Sequence, residues 1–151
     1  MSTTPSQTIL LVEDNDDDAE LTALAFSRAR INNTVVRARD GLEALDYLFA
    51  RGSHAGREAS DLPAVVLLDL NLPKLGGLEV LDAIRADRRT SRVPVVILTT
   101  SDEEEDRLAA YERRANSYIR KPVDHDEFVA ATRSLGLYWL VLNLPPPRGG
   151  R

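Results

Sequence analysis

The 151-residue chain is 43% hydrophobic and 28% charged with a formal net charge of -5, which fits one soluble domain of ordinary size and no second one. No apolar stretch reaches bilayer-spanning length, and residues 1–7 are polar, without a signal-peptide core, and expected to be disordered. The lack of cysteine excludes disulfides, thiolate metal sites and a cysteine nucleophile, while the acidic balance argues against nucleic acid as a partner; the default setting is cytoplasmic, with no membrane partner.

Short β-rich runs alternate with longer amphipathic segments, the pattern of a doubly wound α/β sheet. The first strand is expected over Thr8 to Glu13, and its core, Ile9 to Val12, is continuously apolar, as burial on both faces requires. A helix follows from about Asp17 to Arg30, with Leu21, Leu24, Ala25 and Arg28 marking one side and Asp16 to Asp18 capping its positive end. Strand two, Thr34 to Arg39, alternates and belongs at a sheet edge. Asp40 and Glu43 form an acidic capping box for helix two, whose face is Leu42, Leu45, Leu48 and Phe49.

Residues 51–62 have no periodicity and read as a long surface loop. Strand three, Ala64 to Asp69, is again continuously apolar until it stops at an acid. Helix three runs from about Leu78 to Ala86, with Leu78, Leu81 and Ile84 inward. Strand four, Val95 to Thr99, stops at hydroxyls, and Ser101 with Glu104 caps a fourth helix reaching about Arg113. Strand five, Ser117 to Ile119, leads into Arg120-Lys121-Pro122. The last helix starts near Asp124, capped with Glu127, and runs to about Leu142; residues 145–151 are expected to be a disordered tail.

The chemistry lies where these strands end. Alone, Asp69 is most simply a turn residue, Thr99 an ordinary strand end, and Glu13-Asp14 part of a solvated acidic run. Together they place three carboxylates, a hydroxyl and the Lys121 ammonium at the carboxyl edge of one parallel sheet, where such folds bind ligands. That set suits a divalent cation and a transferred phosphoryl group. Asp69 is then the nucleophile that becomes an acyl phosphate. Glu13 and Asp14 hold a hard cation such as Mg2+, and Thr99 and Lys121 take the phosphoryl oxygens. The Lys121-Pro122 turn admits a cis bond. His54 and His125 are surface residues rather than ligands.

The runs Leu11-Val12-Glu13-Asp14, Leu67 to Pro73, Val95 to Ser101 and Tyr118-Ile119-Arg120-Lys121-Pro122 resemble the receiver domain of bacterial two-component response regulators, over residues 8–144. The resemblance implies a flavodoxin-like (βα)5 fold with strand order 2-1-3-4-5. It implies phosphorylation of Asp69 by a sensor histidine kinase or phosphotransfer protein, and Mg2+ held by Glu13, Asp14, Asp69 and the Asn71 carbonyl. Tyr118 matches the switch aromatic that moves inward as Thr99 shifts toward the phosphoryl group.

Two residues depart from the commonest pattern: Glu13 replaces an aspartate, and Arg114 stands where a glycine would adopt a left-handed helix end. The apolar end of the last helix is similar to single-domain regulators serving bacterial phytochromes, which implies a homodimer through Leu137, Tyr138, Trp139, Leu140, Val141 and Leu144. A stand-alone phosphoacceptor without an output domain is the expectation. A Mg2+-dependent phosphatase with an aspartyl-phosphate intermediate is the rival, but by resemblance it wants a second Asp where Asn71 stands. A receiver-like interaction module that never turns over phosphate is the third reading.

Overall fold

The computed structural model describes residues 8–28, 33–100 and 109–134. The strands are β1 (Ile9–Val12), β2 (Val35–Ala38), β3 (Val65–Asp69), β4 (Val95–Thr99) and β5 (Ser117–Arg120). All pair in parallel, in the order β2-β1-β3-β4-β5. The three central strands are buried along their whole length, which is why their sequences are continuous apolar runs; β2 sits at an edge as its alternation requires.

Successive residues on the central strands feed opposite cores. Leu10, Val12, Val66, Leu68, Val95 and Ile97 face α2 (Gly41–Phe49) and α3 (Gly77–Ala86), together with Ala110 of the helix described over residues 109–112 (α4). Ile9, Leu11, Val65, Leu67, Val96 and Leu98 face α1 (Asp16–Arg28) and α5 (His125–Ser134). Each fully buried Leu, Ile or Val contributes about 1.5–3 kcal/mol of transfer free energy, so the two layers hold the carboxyl edge of the sheet rigidly.

Helix α1 is turned differently from its leucine pattern. Leu21 and Leu24 are 47% and 45% exposed, and the buried side is Ala19, Thr22, Ala25 and Phe26. The small residues let α1 approach the sheet, while Phe26 meets Phe128 of α5 with ring centroids 4.9 Å apart. The cap also differs: Asn15 Oδ1 accepts from the Asp18 amide at 2.9 Å, so Asn15 caps α1 and Asp16 to Asp18 form its first turn.

On α2, Leu42 is exposed, and Ala44, Leu45, Tyr47 and Leu48 make the buried side. Asp40 caps α2 as expected, accepting from the Glu43 amide at 2.8 Å, but Glu43 reaches back to the Arg39 amide rather than that of Asp40. On α3, Leu81 and Ile84 are fully buried together with Val80, and Leu78 is half-buried. Asp124 caps α5 through the Glu127 amide at 3.2 Å.

The segment after α2 is pinned rather than loose. It starts with a 3-10 turn, Gly52–His54, and the Arg57 guanidinium stacks 3.8 Å from the Tyr47 ring centroid while donating to the carbonyls of Tyr47 and Asp61. Arg114 does adopt the left-handed conformation, φ 64°, in a helix end closed by Ala115 N–H to Ala110 O and Arg114 N–H to Tyr111 O. The Ser101–Glu104 cap and the candidate dimer residues Leu137, Tyr138, Trp139, Leu140, Val141 and Leu144 lie outside the described residues.

Candidate functional site

Three strand ends meet at one pole of the sheet. Glu13 follows β1 and is fully buried; its amide donates to the Ala38 carbonyl, and its own carbonyl accepts from Arg37 Nε at 2.9 Å. Asp69 closes β3 at 3% exposure, with Oδ1 accepting from the Asn71 amide at 3.1 Å. Gly77 lets α3 start directly against this strand end. A Cβ there would sit 2.4 Å from the Asp69 carbonyl oxygen.

The carboxylates of Glu13, Asp14 and Asp69 lie within 4.8 Å of one another, and Asp14 is the exposed member. The Lys121-Pro122 bond is cis, and the Lys121 amide donates to the Thr99 carbonyl at 2.7 Å. The side chain turns inward: Nζ lies 3.0 Å from Asp69 Oδ2, 2.9 Å from Glu13 Oε1 and 2.8 Å from Asp18 Oδ2. Thr99 is fully buried at the end of β4, and Tyr118, opposite Ile97 in the ladder, is half-buried against the α2/α3 core.

One ammonium does not balance this many acids. Like charges about 4 Å apart repel by about 4 kcal/mol at an effective dielectric of about 20, so the cluster stores repulsion that a proton or a cation removes. Burial, then hydrogen bonding with Asp69, pushes the Glu13 carboxyl up to about 7. Burial alone would lower the Lys121 ammonium, but its bonds to Asp18, Glu13 and Asp69 win and hold it above the ordinary lysine value. Hard oxygen donors in this arrangement fit a small divalent cation.

Every residue singled out on the first three strand ends, and Lys121, arrives at this pole. Asp18 and Arg37 were missed. Asp18 had no signal of its own, because it sits in the acidic run that opens α1 and only the position of Lys121 draws it to the site. Arg37 had none: it reaches the site through the Glu13 backbone, and its Nη1 pairs with Asp16 Oδ1 at 2.8 Å.

The family described as response regulator receiver domain matches residues 9–133. The chain belongs to that family. The receiver domain is 43% identical over 138 residues to the probable methanogenesis regulatory protein FilR2 of Methanothrix harundinacea, covering 91% of this chain and 86% of that protein. It is 38% identical over 136 residues to the response regulator Rcp1 of Synechocystis, covering 90% of each. The Mn2+-bound structure of Rcp1 superposes with a TM-score of 0.72, 34% identity, and coverage of 94% and 99%. The bacteriophytochrome response regulator AtBRR superposes with a TM-score of 0.83 at 47% identity, over 93% of this receiver domain and 100% of that chain.

These likenesses bear out the flavodoxin-like five-stranded fold and the reading of the chain as a signalling receiver rather than a conventional enzyme. Among the described residues no helix is long and apolar enough to cross a membrane.

Proposed function

We propose that the receiver domain accepts a phosphoryl group on Asp69. The observation that carries this reading is the Lys121 ammonium 3.0 Å from the buried Asp69 carboxylate, beside the acids Glu13 and Asp14. An Asp69 carboxylate oxygen attacks the phosphorus of a phosphohistidine. The P–N bond breaks, its electron pair stays on the imidazole nitrogen, that nitrogen takes up a proton, and Asp69 becomes an acyl phosphate. Water later attacks phosphorus and releases inorganic phosphate, restoring the carboxylate, so the domain takes part in its own phosphorylation and dephosphorylation.

Glu13, Asp14, Asp69 and the Asn71 carbonyl would hold Mg2+, which supplies positive charge against the phosphoryl oxygens. Lys121 and the Thr99 hydroxyl bind those oxygens. Thr99 and Tyr118 then carry the switch, because a hydroxyl drawn toward the phosphoryl group frees space behind it for the aromatic ring. That Rcp1 is described in a Mn2+-bound form supports a divalent cation at the matching acids.

The donor is a sensor histidine kinase or phosphotransfer protein, and the phytochrome-linked name of AtBRR supports a phytochrome kinase. A groove of about 200 Å3 lined by Leu21, Leu24, Arg28, Pro122 and Asp124 lies against α1 and offers that donor a seat of mixed apolar and charged character. The domain acts in the cytoplasm, and pairs as a homodimer through Leu137, Tyr138, Trp139, Leu140, Val141 and Leu144. The phosphatase reading is weaker because Asn71 cannot serve as its second acid.

Incubation with Mg2+ and phosphoramidate, followed by intact mass, tests the proposal. A phosphate-sized gain that needs Mg2+ and is lost in Asp69→Asn supports it, and a larger hydrodynamic size on phosphorylation supports the dimer. A folded domain that gains no mass under any condition overturns it and leaves a binding module.

A further inference from the structure

A lysine ammonium has three N–H donors and no more. Among the described residues, Lys121 Nζ meets three carboxylates within hydrogen-bonding distance: Asp18 Oδ2 at 2.8 Å, Glu13 Oε1 at 2.9 Å and Asp69 Oδ2 at 3.0 Å. A phosphoryl group arriving on Asp69 needs an ammonium donor for one of its oxygens, so one of these contacts has to be given up. This argument rests on the phosphoacceptor reading and asks what controls it.

The three partners are not equivalent. The Glu13 side chain is fully buried and that of Asp69 is 4% exposed, whereas that of Asp18 is 31% exposed. A carboxylate released from Glu13 would stay out of water, which is costly. One released from Asp18 is hydrated at once. Asp18 also stands apart from the cluster of Glu13, Asp14 and Asp69, and its backbone is held independently through the Asn15 cap, so the side chain can swing away without unwinding α1.

We propose that Asp18 is a positioning residue for Lys121: it parks the ammonium while Asp69 is unmodified, and the phosphoryl group must displace it. Asp18 therefore sets how readily Lys121 is recruited. Removing its charge favours the phosphorylated state and speeds its formation, without altering the nucleophile, the cation ligands or the fold.

The comparison variant is Asp17→Asn, which removes the same charge from the same turn; Asp17 is exposed and makes no contact with Lys121. Phosphorylation by phosphoramidate with Mg2+ is followed by intact mass, and affinity for beryllofluoride with Mg2+ by calorimetry. Asp18→Asn is expected to raise both by about fivefold, the worth of a partly exposed ion pair. Asp17→Asn is expected to change neither by more than about 1.5-fold, and Asp18→Glu to restore the wild-type values.

Equal gains from Asp17→Asn and Asp18→Asn would assign the effect to general charge repulsion and overturn the proposal. So would no gain from Asp18→Asn, with Asp18→Ala as the second variant if the amide distorts the turn. Failure of the wild-type domain to take up phosphate is a different result, which removes the phosphoacceptor reading itself.

Discussion

The Arg85 guanidinium donates twice to the backbone carbonyl of Arg114, at 3.1 Å from Nε and 2.8 Å from Nη2. Its remaining donors reach the Ser91 and Val93 carbonyls and Asn116 Oδ1, at 3.2, 2.7 and 2.9 Å. Asn116 Oδ1 also accepts from the Val95 amide, so one side chain of α3 ties together the end of α4 and the starts of β4 and β5. This clamp lies at the one left-handed turn where the family pattern calls for glycine.

A non-glycine residue in the left-handed region costs about 1–2 kcal/mol, and the Arg85 bonds offset that strain. Arg114→Gly is expected to stabilise the domain by up to about 1 kcal/mol, the strain relief being reduced by glycine's greater chain entropy. Arg85→Ala removes charge-assisted bonds and is expected to cost about 2–3 kcal/mol. The two changes should not add, because the glycine turn closes with less help; urea denaturation of both single variants and the double variant measures the coupling. Strict additivity would show that Arg85 does not act on this turn.

The pH response of the cation site follows from Glu13, whose carboxyl is pushed from 4.5 to about 7 by burial. Because the folded pKa is the higher one, the cation-free fold binds the proton more tightly than the unfolded chain. Its contribution to stability is present below about 4.5 and is lost as pH rises through 7. A cation competes with that proton, so Mg2+ affinity should rise roughly tenfold per pH unit below 7 and level off above it. Calorimetric Mg2+ titrations from pH 5.5 to 8.5 check this, and Glu13→Gln should flatten the profile.

The observed phase of α1 makes opposite predictions for neighbouring residues. Leu24→Ser and Leu21→Ser, on the exposed side, should change stability by less than about 0.5 kcal/mol. Phe26→Ala should cost about 3–5 kcal/mol by emptying the contact with Phe128. Leu24→Asp should leave phosphorylation by phosphoramidate unchanged while slowing transfer from a histidine kinase's phosphodonor domain, if the groove beside Pro122 is the docking seat. Thermal melts and paired transfer assays separate the two effects.

The central strands and the acids that end them were legible because a strand buried on both faces must be a continuous apolar run, and a carboxylate that stops such a run stands out. The phase of α1 was not. Leucine spacing points to Leu21 and Leu24, but close packing on the sheet selects Ala19, Thr22 and Ala25, with bulk supplied once by Phe26. Asp18 was hidden inside a charge run, where composition says solvated and only the position of Lys121 says otherwise. Arg85 carries no local signal, since nothing in its own stretch of sequence marks a guanidinium whose doubly bonded acceptor is the distant Arg114 carbonyl.

Gly77 tests how rigidly the fold positions Asp69. A Cβ at this residue would lie 2.4 Å from the Asp69 carbonyl oxygen and 2.7 Å from the Leu70 Cα, both backbone atoms that cannot swing aside. Gly77→Ala therefore has to push the start of α3 away from β3, at an expected cost of about 1–3 kcal/mol. The same push acts on the peptide that presents the Asp69 carboxylate, so the phosphorylation rate should fall even where the fold survives. Gly76→Ala, whose added Cβ would meet only the Glu79 carboxylate at 3.6 Å, should do neither. Equal rates for the two alanine variants at matched stability would mean that the approach of α3 does not set the position of Asp69.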